Sequence, residues 1–345
     1  MKKTLILLLL ALVIVGVVWY LMQDDRSAAT PLTTADFAIA DTSAVGRIDI
    51  TSANGITASL SRLESPTWMI NNKYPARRDG IDLILKTLHL LEIKHPVSSG
   101  SRENVIRMLA GRHSYVEVFD KNDKLMKAYY VGIMTPDQQG TYMLLELPKK
   151  GRMEIPYVMT MKGFYGYLTS RFFVDEKDWR DRTILRYPKM DMQRVEVWNH
   201  VHPEWSYAVD MSDPAKLKMY SLPDNTPVPA FDTLALQDYL LQYKRVSCET
   251  WDLAFEEYQI DSVLALNPHL EIRVEAKNPE KYKHVKFFLR PPPEGQMLDD
   301  GETLAPFDRE ILYGTMEGEY LFRAQRYVWD GILTPKYTFT GDLEF

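Results

Sequence analysis

A mainly antiparallel α+β fold in two related units, behind an N-terminal transmembrane helix, is what this sequence predicts, and three observations predict it. The 345 residues are 46% hydrophobic and include 20 tyrosines, enough apolar material for two ordinary cores and a composition that favours strands. Short apolar segments bounded by Gly, Pro, Asn and Ser outnumber segments with helical periodicity. An apolar stretch of membrane-spanning length opens the chain.

That stretch runs from Leu5 to Met22 without a charge, after Lys2 and Lys3 and before Asp24, Asp25 and Arg26. As a helix it spans roughly 27 Å, close to the hydrocarbon thickness of a bilayer. Trp19 and Tyr20 fall at its far end, where amphipathic rings prefer the interface, and the two lysines keep the N-terminus cytoplasmic. The competing reading is a cleaved signal peptide with Ser27-Ala28-Ala29 as its small-residue site; the run is longer than such regions need, and Asp24-Asp25-Arg26 intervenes. The expected organisation is a signal anchor over 1–22, a linker over 23–34, a first α+β unit over 35–187 and a second over 188–345. The expected location is the inner membrane, single-pass, with the C-terminal domain in the periplasm. Cys248, the only cysteine, falls near the end of a predicted helix and reads as a small buried hydrophobe; the exported domain then has no internal disulfide.

The elements follow in order. VGRIDIT (Val45–Thr51), GITASLSRL (Gly55–Leu63) and TWMIN (Thr67–Asn71) read as a three-stranded meander with SANG and ESP at its turns. Asp79 is placed to cap a helix whose apolar face is Ile81, Ile84, Leu85, Leu88 and Leu91, with Pro96 past its end. A second helix, SRENVIRMLAG, ends at Gly111 as a glycine just beyond the last turn. SYVEVFD and KLMKAYYVG then form a hairpin across Lys121-Asn122-Asp123.

The second half echoes this order. QRVEVWN answers VGRIDIT, WSYAVD answers TWMIN, the helix capped by Asp232 answers that of Asp79, HLEIRVEA answers SYVEVFD, and HVKFFLRP answers KAYYVGIM. Offsets grow from 147 (Ile48 to Val195) through 153 (Asp79 to Asp232) to 158 (Tyr129 to Phe287), as loop insertions in a duplicated unit would produce. The boundary falls near Tyr187-Pro188.

Four blocks carry a resemblance to a known family: NNKYPARRDGIDLILKTL, HPVSSGSRENVIRML, KAYYVGIMTPDQQGTYMLLE and GFYGYLTSRFFVDEKDWRDRTI, in that order, from about Asn71 to Ile184. Together they resemble the uncharacterised family catalogued as domain of unknown function 4340. The resemblance implies an exported or membrane-anchored protein without an established activity. It further implies an association, for some members, with uncharacterised ABC-type transport systems linked to gliding motility. It brings no catalytic residues.

The chemistry-bearing candidates are few. In TPDQQG, the Pro136-Asp137 step and Gly140 are what a turn needs; contact of Asp137, Gln138 and Gln139 with a ligand is the alternative, and Asp137 has no neighbour to tune it for proton transfer. Phe164, Tyr165 and Tyr167, among Gly163 and Gly166, read either as rings packed on a turn or as a partner surface. Arg180 and Arg182, joined by Arg77 and Arg78, are the candidate ligand site, for a small anion; mutual pairing with the surrounding Asp and Glu is the plainer reading. His200 and His202 form an H-x-H pair near Glu204, expected on one side of a strand, yet no third ligand or metal motif accompanies them. FDKNDKL reads as a turn. Phosphate-loop, dinucleotide and serine-elbow motifs are absent, so no cofactor is expected. With 41 basic against 47 acidic residues, a net charge of −6, nucleic acid is not an expected partner.

The function these features predict is a membrane-anchored periplasmic accessory or binding protein of an envelope assembly, held to the membrane through residues 5–22 and working with other envelope proteins. An extracytoplasmic, carboxylate-dependent enzyme acting on glycans is the alternative.

Overall fold

The computed structural model describes residues 32–341, apart from 64–66, 149–150, 214–215, 253–254 and 317–319. The run from Leu5 to Met22 lies outside them; among the described residues no helix is long and apolar enough to cross a membrane. The chain is mixed α/β with mostly antiparallel strands, and it divides into one unit up to Asp181 and another from Arg182.

The first unit begins with one turn of helix, α1 (Thr34–Phe37), where the expected linker was to end. Phe37 is buried, and the Lys127 ammonium donates to the Ala35 carbonyl at 2.9 Å as well as to those of Asp36 and Ala38, closing the C-terminal end of the turn. The predicted meander follows as β1 (Val45–Ser52), β2 (Thr57–Arg62) and β3 (Trp68–Ile70), extended by β4 (Tyr74–Pro75). Alternation places Ile48, Ile50, Ala58 and Leu60 on the buried face. Helix α2 (Arg78–Leu90) lays Ile81, Ile84 and Leu88 on that face, each such burial contributing ~1.5–3 kcal/mol. Then come β5 (Leu91–Pro96), α3 (Ser99–Gly111), β6 (Ser114–Asp120), β7 (Leu125–Met134), β8 (Thr141–Leu147), β9 (Gly151–Arg152), β10 (Tyr157–Met161) and a last helical turn, α4 (Glu176–Trp179). The sheet runs β4-β3-β2-β1-β6-β7-β8-β10-β5, with β9 paired to β8. Val105 and Leu109 of α3 pack with Leu144 and Val158, while the adjacent Leu145 and Met159 join the main core, so α2 and α3 cover opposite faces.

Three local features differ from what the sequence predicts. Helix α2 starts at Arg78 and is preceded by Arg77, so Asp79 lies inside its first turn and is not the cap. Leu91 leaves the helix because it pairs with Met161 in β5–β10, where strand hydrogen bonds replace another helical turn. Gly111 is the last residue of α3 itself, and Arg112 closes that helix.

The second unit opens with β11 (Thr183–Leu185), which pairs with β16 (Val246–Ser247). This pairing is why the division falls after Asp181, ahead of the expected Tyr187-Pro188. Its main strands are β12 (Met192–Asn199), β13 (Tyr207–Asp210), β14 (Lys218–Ser221), β15 (Thr226–Pro227), β17 (Thr250–Trp251), β18 (Leu270–Ala276), β19 (Lys283–Leu289), β20 (Ile311–Met316) and β21 (Tyr320–Gln325). Helix α5 (Thr233–Leu241) is capped by Asp232, whose carboxylate accepts from the Leu234 and Ala235 N–H groups. Helix α6 (Glu257–Leu264) precedes β18, and α7 (Arg326–Trp329) and α8 (Tyr337–Thr340) end the unit. Cys248 is buried between β16 and β17, outside any helix, because α5 stops at Leu241.

The second sheet runs β15-β14-β13-β12-β18-β19-β20-β21-β17. Both sheets therefore set their first four strands in reverse order, cross to the strand after the second of the longer helices, run outward, and finish on the short strand after the first. Registers agree as well: Ile48 faces Val118 and Val195 faces Val274, and each first strand is bulged just before, at Val45/Arg47 and Met192/Arg194. Two equivalences read from sequence shift. Strand β13 occupies the place of β2, so WSYAVD answers GITASLSRL, and β14 answers TWMIN. Phe287 answers Val131, since Leu270 pairs with Phe287 where Ser114 pairs with Val131.

Candidate functional site

The loop joining β7 to β8 is a turn built by its own side chains. Asp137 accepts from the Thr135 hydroxyl and from the Gln139 N–H at 3.1 Å, and the Thr135 N–H donates to the Gly140 carbonyl at 2.9 Å. Gln138 takes a left-handed φ of 56°, and a Cβ on Gly140 would strike Val158. Gln138 and Gln139 are exposed, and the Gln139 carbonyl accepts from Lys94 at 3.3 Å.

The same loop rims a cleft of about 350 Å³ in the first unit. Lys94, His95, Ser98 and Ser101 lie on one side, Thr135, Pro136 and Asp137 on the other, with Tyr142 and Val158 between. The Lys94 ammonium is 3.7 Å from Asp137. The Asp137 carboxyl is held below the ordinary range, first by the Thr135 hydroxyl, then by the Gln139 N–H, with Lys94 adding to them. The cleft therefore presents a fixed negative and a fixed positive group beside an apolar floor.

The aromatic candidates separate. Gly163, at φ 74°, closes a turn in which the Phe164 N–H donates to the Met161 carbonyl at 3.0 Å. Phe164 packs at the edge of the core with the Arg171 guanidinium 4.2 Å over its ring, whereas Tyr165 is 90% exposed and Tyr167 36%. Of these three rings, Tyr165 is the one that stands clear of the fold.

The arginines have local partners. Arg180 is 7% exposed, and its guanidinium lies 3.6 Å from the centre of the Tyr74 ring. Arg77 faces Phe173 at 5.7 Å and pairs with Asp79 at 3.5 Å. Exposed Arg78 reaches Asp82 one turn on, at 3.6 Å. In the second unit Arg182 donates to the Glu249 carbonyl at 2.8 Å. None of the four lines the first-unit cleft. Of the residues expected to hold an anion, Arg77 and Arg180 thus lie over rings, Arg78 pairs along its helix and Arg182 bonds a backbone carbonyl.

His200 and His202 diverge. Strand β12 ends at Asn199, whose side chain accepts from the Val201 and His202 N–H groups and turns the chain, so the alternation expected of a strand stops there. His202 stacks on Trp205, with ring centres 4.0 Å apart. His200 instead meets a carboxylate that sequence reasoning missed, Glu271. Glu271 is 5% exposed and contacts His200 Nε2 at 3.1 Å, His284 Nε2 at 2.7 Å and the Arg273 guanidinium at 3.1 Å. Burial alone would raise its pKa; the hydrogen bonds from His284 and Arg273 outweigh it and hold the carboxyl below its ordinary value. The only signal in the sequence was the alternation of Glu271, Arg273 and Glu275, which marks a polar sheet face but not the strand that supplies the histidines. Among the described residues no group of three or more His, Cys, Asp or Glu is arranged to hold a metal ion.

The chain matches no family model, no curated protein and no solved structure.

Proposed function

We propose that this chain is a membrane-anchored periplasmic accessory or binding protein of an envelope assembly, working beside an ABC-type transport system. Residues 5–22 anchor it, and the two units arose by duplication of one α+β unit. The shared strand order and the matching bulges support the duplication.

The observation that carries the binding reading is the pairing of Asp137 with Lys94, 3.7 Å apart, at the rim of the first cleft. A general acid or base works best with a pKa near the working pH. Asp137 is pushed the other way and sits beside an ammonium, which suits recognition through fixed charges. Glu271, the most enclosed carboxylate of the second sheet's polar face, is also held down. Proton transfer of the kind a glycan-acting enzyme needs would call for a raised carboxylate at such a place. Exposed Tyr165 supplies a ring for a protein partner.

Alkaline extraction of native membranes, followed by protease treatment of spheroplasts, tests anchoring and location together. The reading requires the chain to stay in the pellet and its units to be cut from outside. Release by alkali, or protection until lysis, would remove it.

A further inference from the structure

We infer that the second unit carries a saccharide-binding site, in a cleft of about 220 Å³ formed where the turn before β13, the end of β14 and helix α8 meet. This site is independent of the anchor and of the first-unit cleft.

Two rings form a corner of the cleft. Trp205 and Tyr337 have their centres 5.3 Å apart and their planes crossed at 83°. One face of Trp205 is covered by stacked His202, and the Trp205 carbonyl accepts from the Lys336 N–H at 3.1 Å, which fixes the corner to the start of α8. Pro227, Val228 and Pro229 form an apolar wall, and the Glu204 carboxylate, which contacts His202 Nδ1 at 3.3 Å, the Lys336 ammonium and the hydroxyls of Ser221 and Thr340 complete the lining. Lys336 Nζ donates to Ser221 Oγ at 3.1 Å, so both groups are already oriented. Thr340 Oγ1 is buried and has no hydrogen-bond partner among the described residues.

That orphaned hydroxyl points to the ligand class. Buried polar groups normally have partners, and rotation of the Thr340 side chain about χ1 would open its hydroxyl to a donor or acceptor that a ligand brings into the cleft. Carboxylate, ammonium and two hydroxyls beside aromatic walls match a pyranose ring. Its C–H face packs against rings while its hydroxyls donate to Glu204, accept from Lys336 and exchange with Ser221 and Thr340. The single carboxylate and single ammonium balance, which favours a neutral sugar over an anion. Sites for drug-sized ligands occupy ~300–1,000 Å³. At about 220 Å³ this one takes a single ring of a longer glycan.

The test is saturation-transfer difference NMR on the full-length protein in nanodiscs, with chitotriose and maltotriose as probes and empty nanodiscs as blank. The inference requires transfer to the ring protons of at least one trisaccharide, loss of that transfer in Tyr337→Ala, and at least threefold weaker binding in Thr340→Val. The second variant keeps the shape of the side chain and removes only the hydroxyl, so it reports on the site even where Tyr337→Ala disturbs folding. Three outcomes overturn it: transfer to neither trisaccharide, transfer that both variants retain, or transfer only to a proline-rich decapeptide, which would make the aromatic corner a peptide site.

Discussion

Arg47 and Arg194 occupy the same place in two sheets. Each stands just after the bulge of its sheet's first strand and pairs with the carboxylate two residues on, Asp49 and Glu196, on the polar face. Each also lies over a ring, that of Phe119 at 3.8 Å and that of Tyr220 at 5.6 Å. Arg47→Ala and Arg194→Ala should therefore have matching costs, about 1 kcal/mol each, since partly exposed ion pairs and cation–π contacts are individually small. Urea denaturation of the two variants checks this. A cost confined to one of them would mean that the symmetry is in the backbone only.

Arg180 and Arg78 share a guanidinium suited to an anion, but their surroundings differ. Arg180→Ala strips a buried guanidinium from Tyr74 and should cost ~2 kcal/mol, whereas Arg78→Ala, at an exposed pair one helical turn apart, should stay within about 0.5 kcal/mol. Thermal unfolding separates the two. Equal, negligible effects would return Arg180 to the role of a surface ligand group.

The second unit starts at Arg182, with β11 paired to β16. A fragment from Arg182 keeps β11 and its pairing with β16; a fragment from Pro188 loses buried Ile184, Leu185 and Tyr187. The shorter fragment should be less stable by about 4 kcal/mol or more, on the scale of deleting large buried side chains. Equal urea midpoints would put the boundary back at Tyr187-Pro188.

Acid should loosen the second unit before it reaches ordinary carboxylate pKa values. His269 has its pKa lowered below 6.5, by burial first and then by Arg326, His202 and His200. The unfolded chain therefore binds a proton more readily than the folded one. The stability linked to His269 is complete above about 6.5 and falls as pH drops from there through the folded value. Glu271, also lowered, adds a second loss further down, below the unfolded carboxylate pKa near 4.5. Unfolding free energies between pH 8 and 5 should decline in the wild type and be flatter in His269→Gln. An equal slope in both would assign the decline to other groups.

The meander, the hairpin over Lys121-Asn122-Asp123 and the cap at Asp232 were legible because each rests on local chemistry: alternation, turn residues and a side chain reaching its own helix. The second-half echo was legible as an order of segments but not as a register. Only cross-strand pairing shows that Phe287 answers Val131. Leu91 fitted the helical period as well as it fits β5, and its partner Met161 lies far along the chain. The site was less legible still. Asp137 could be read as a turn residue, but its place on a cleft with Lys94 depends on how the β7–β8 loop meets the end of β5. Glu271, His200 and His284 come from separate segments, and nothing in any one of them announces the others.

The central claim, an anchored accessory protein of an envelope assembly, is tested most directly by purifying the tagged full-length chain from its native membrane in mild detergent, with crosslinking and mass spectrometry. The account predicts stoichiometric recovery of an integral-membrane permease and its ATPase, with crosslinks on the first unit near Tyr165 or the Thr135–Gly140 loop and loss of the partners in Tyr165→Ala. Recovery of the chain alone, under conditions that preserve other membrane complexes, would contradict it.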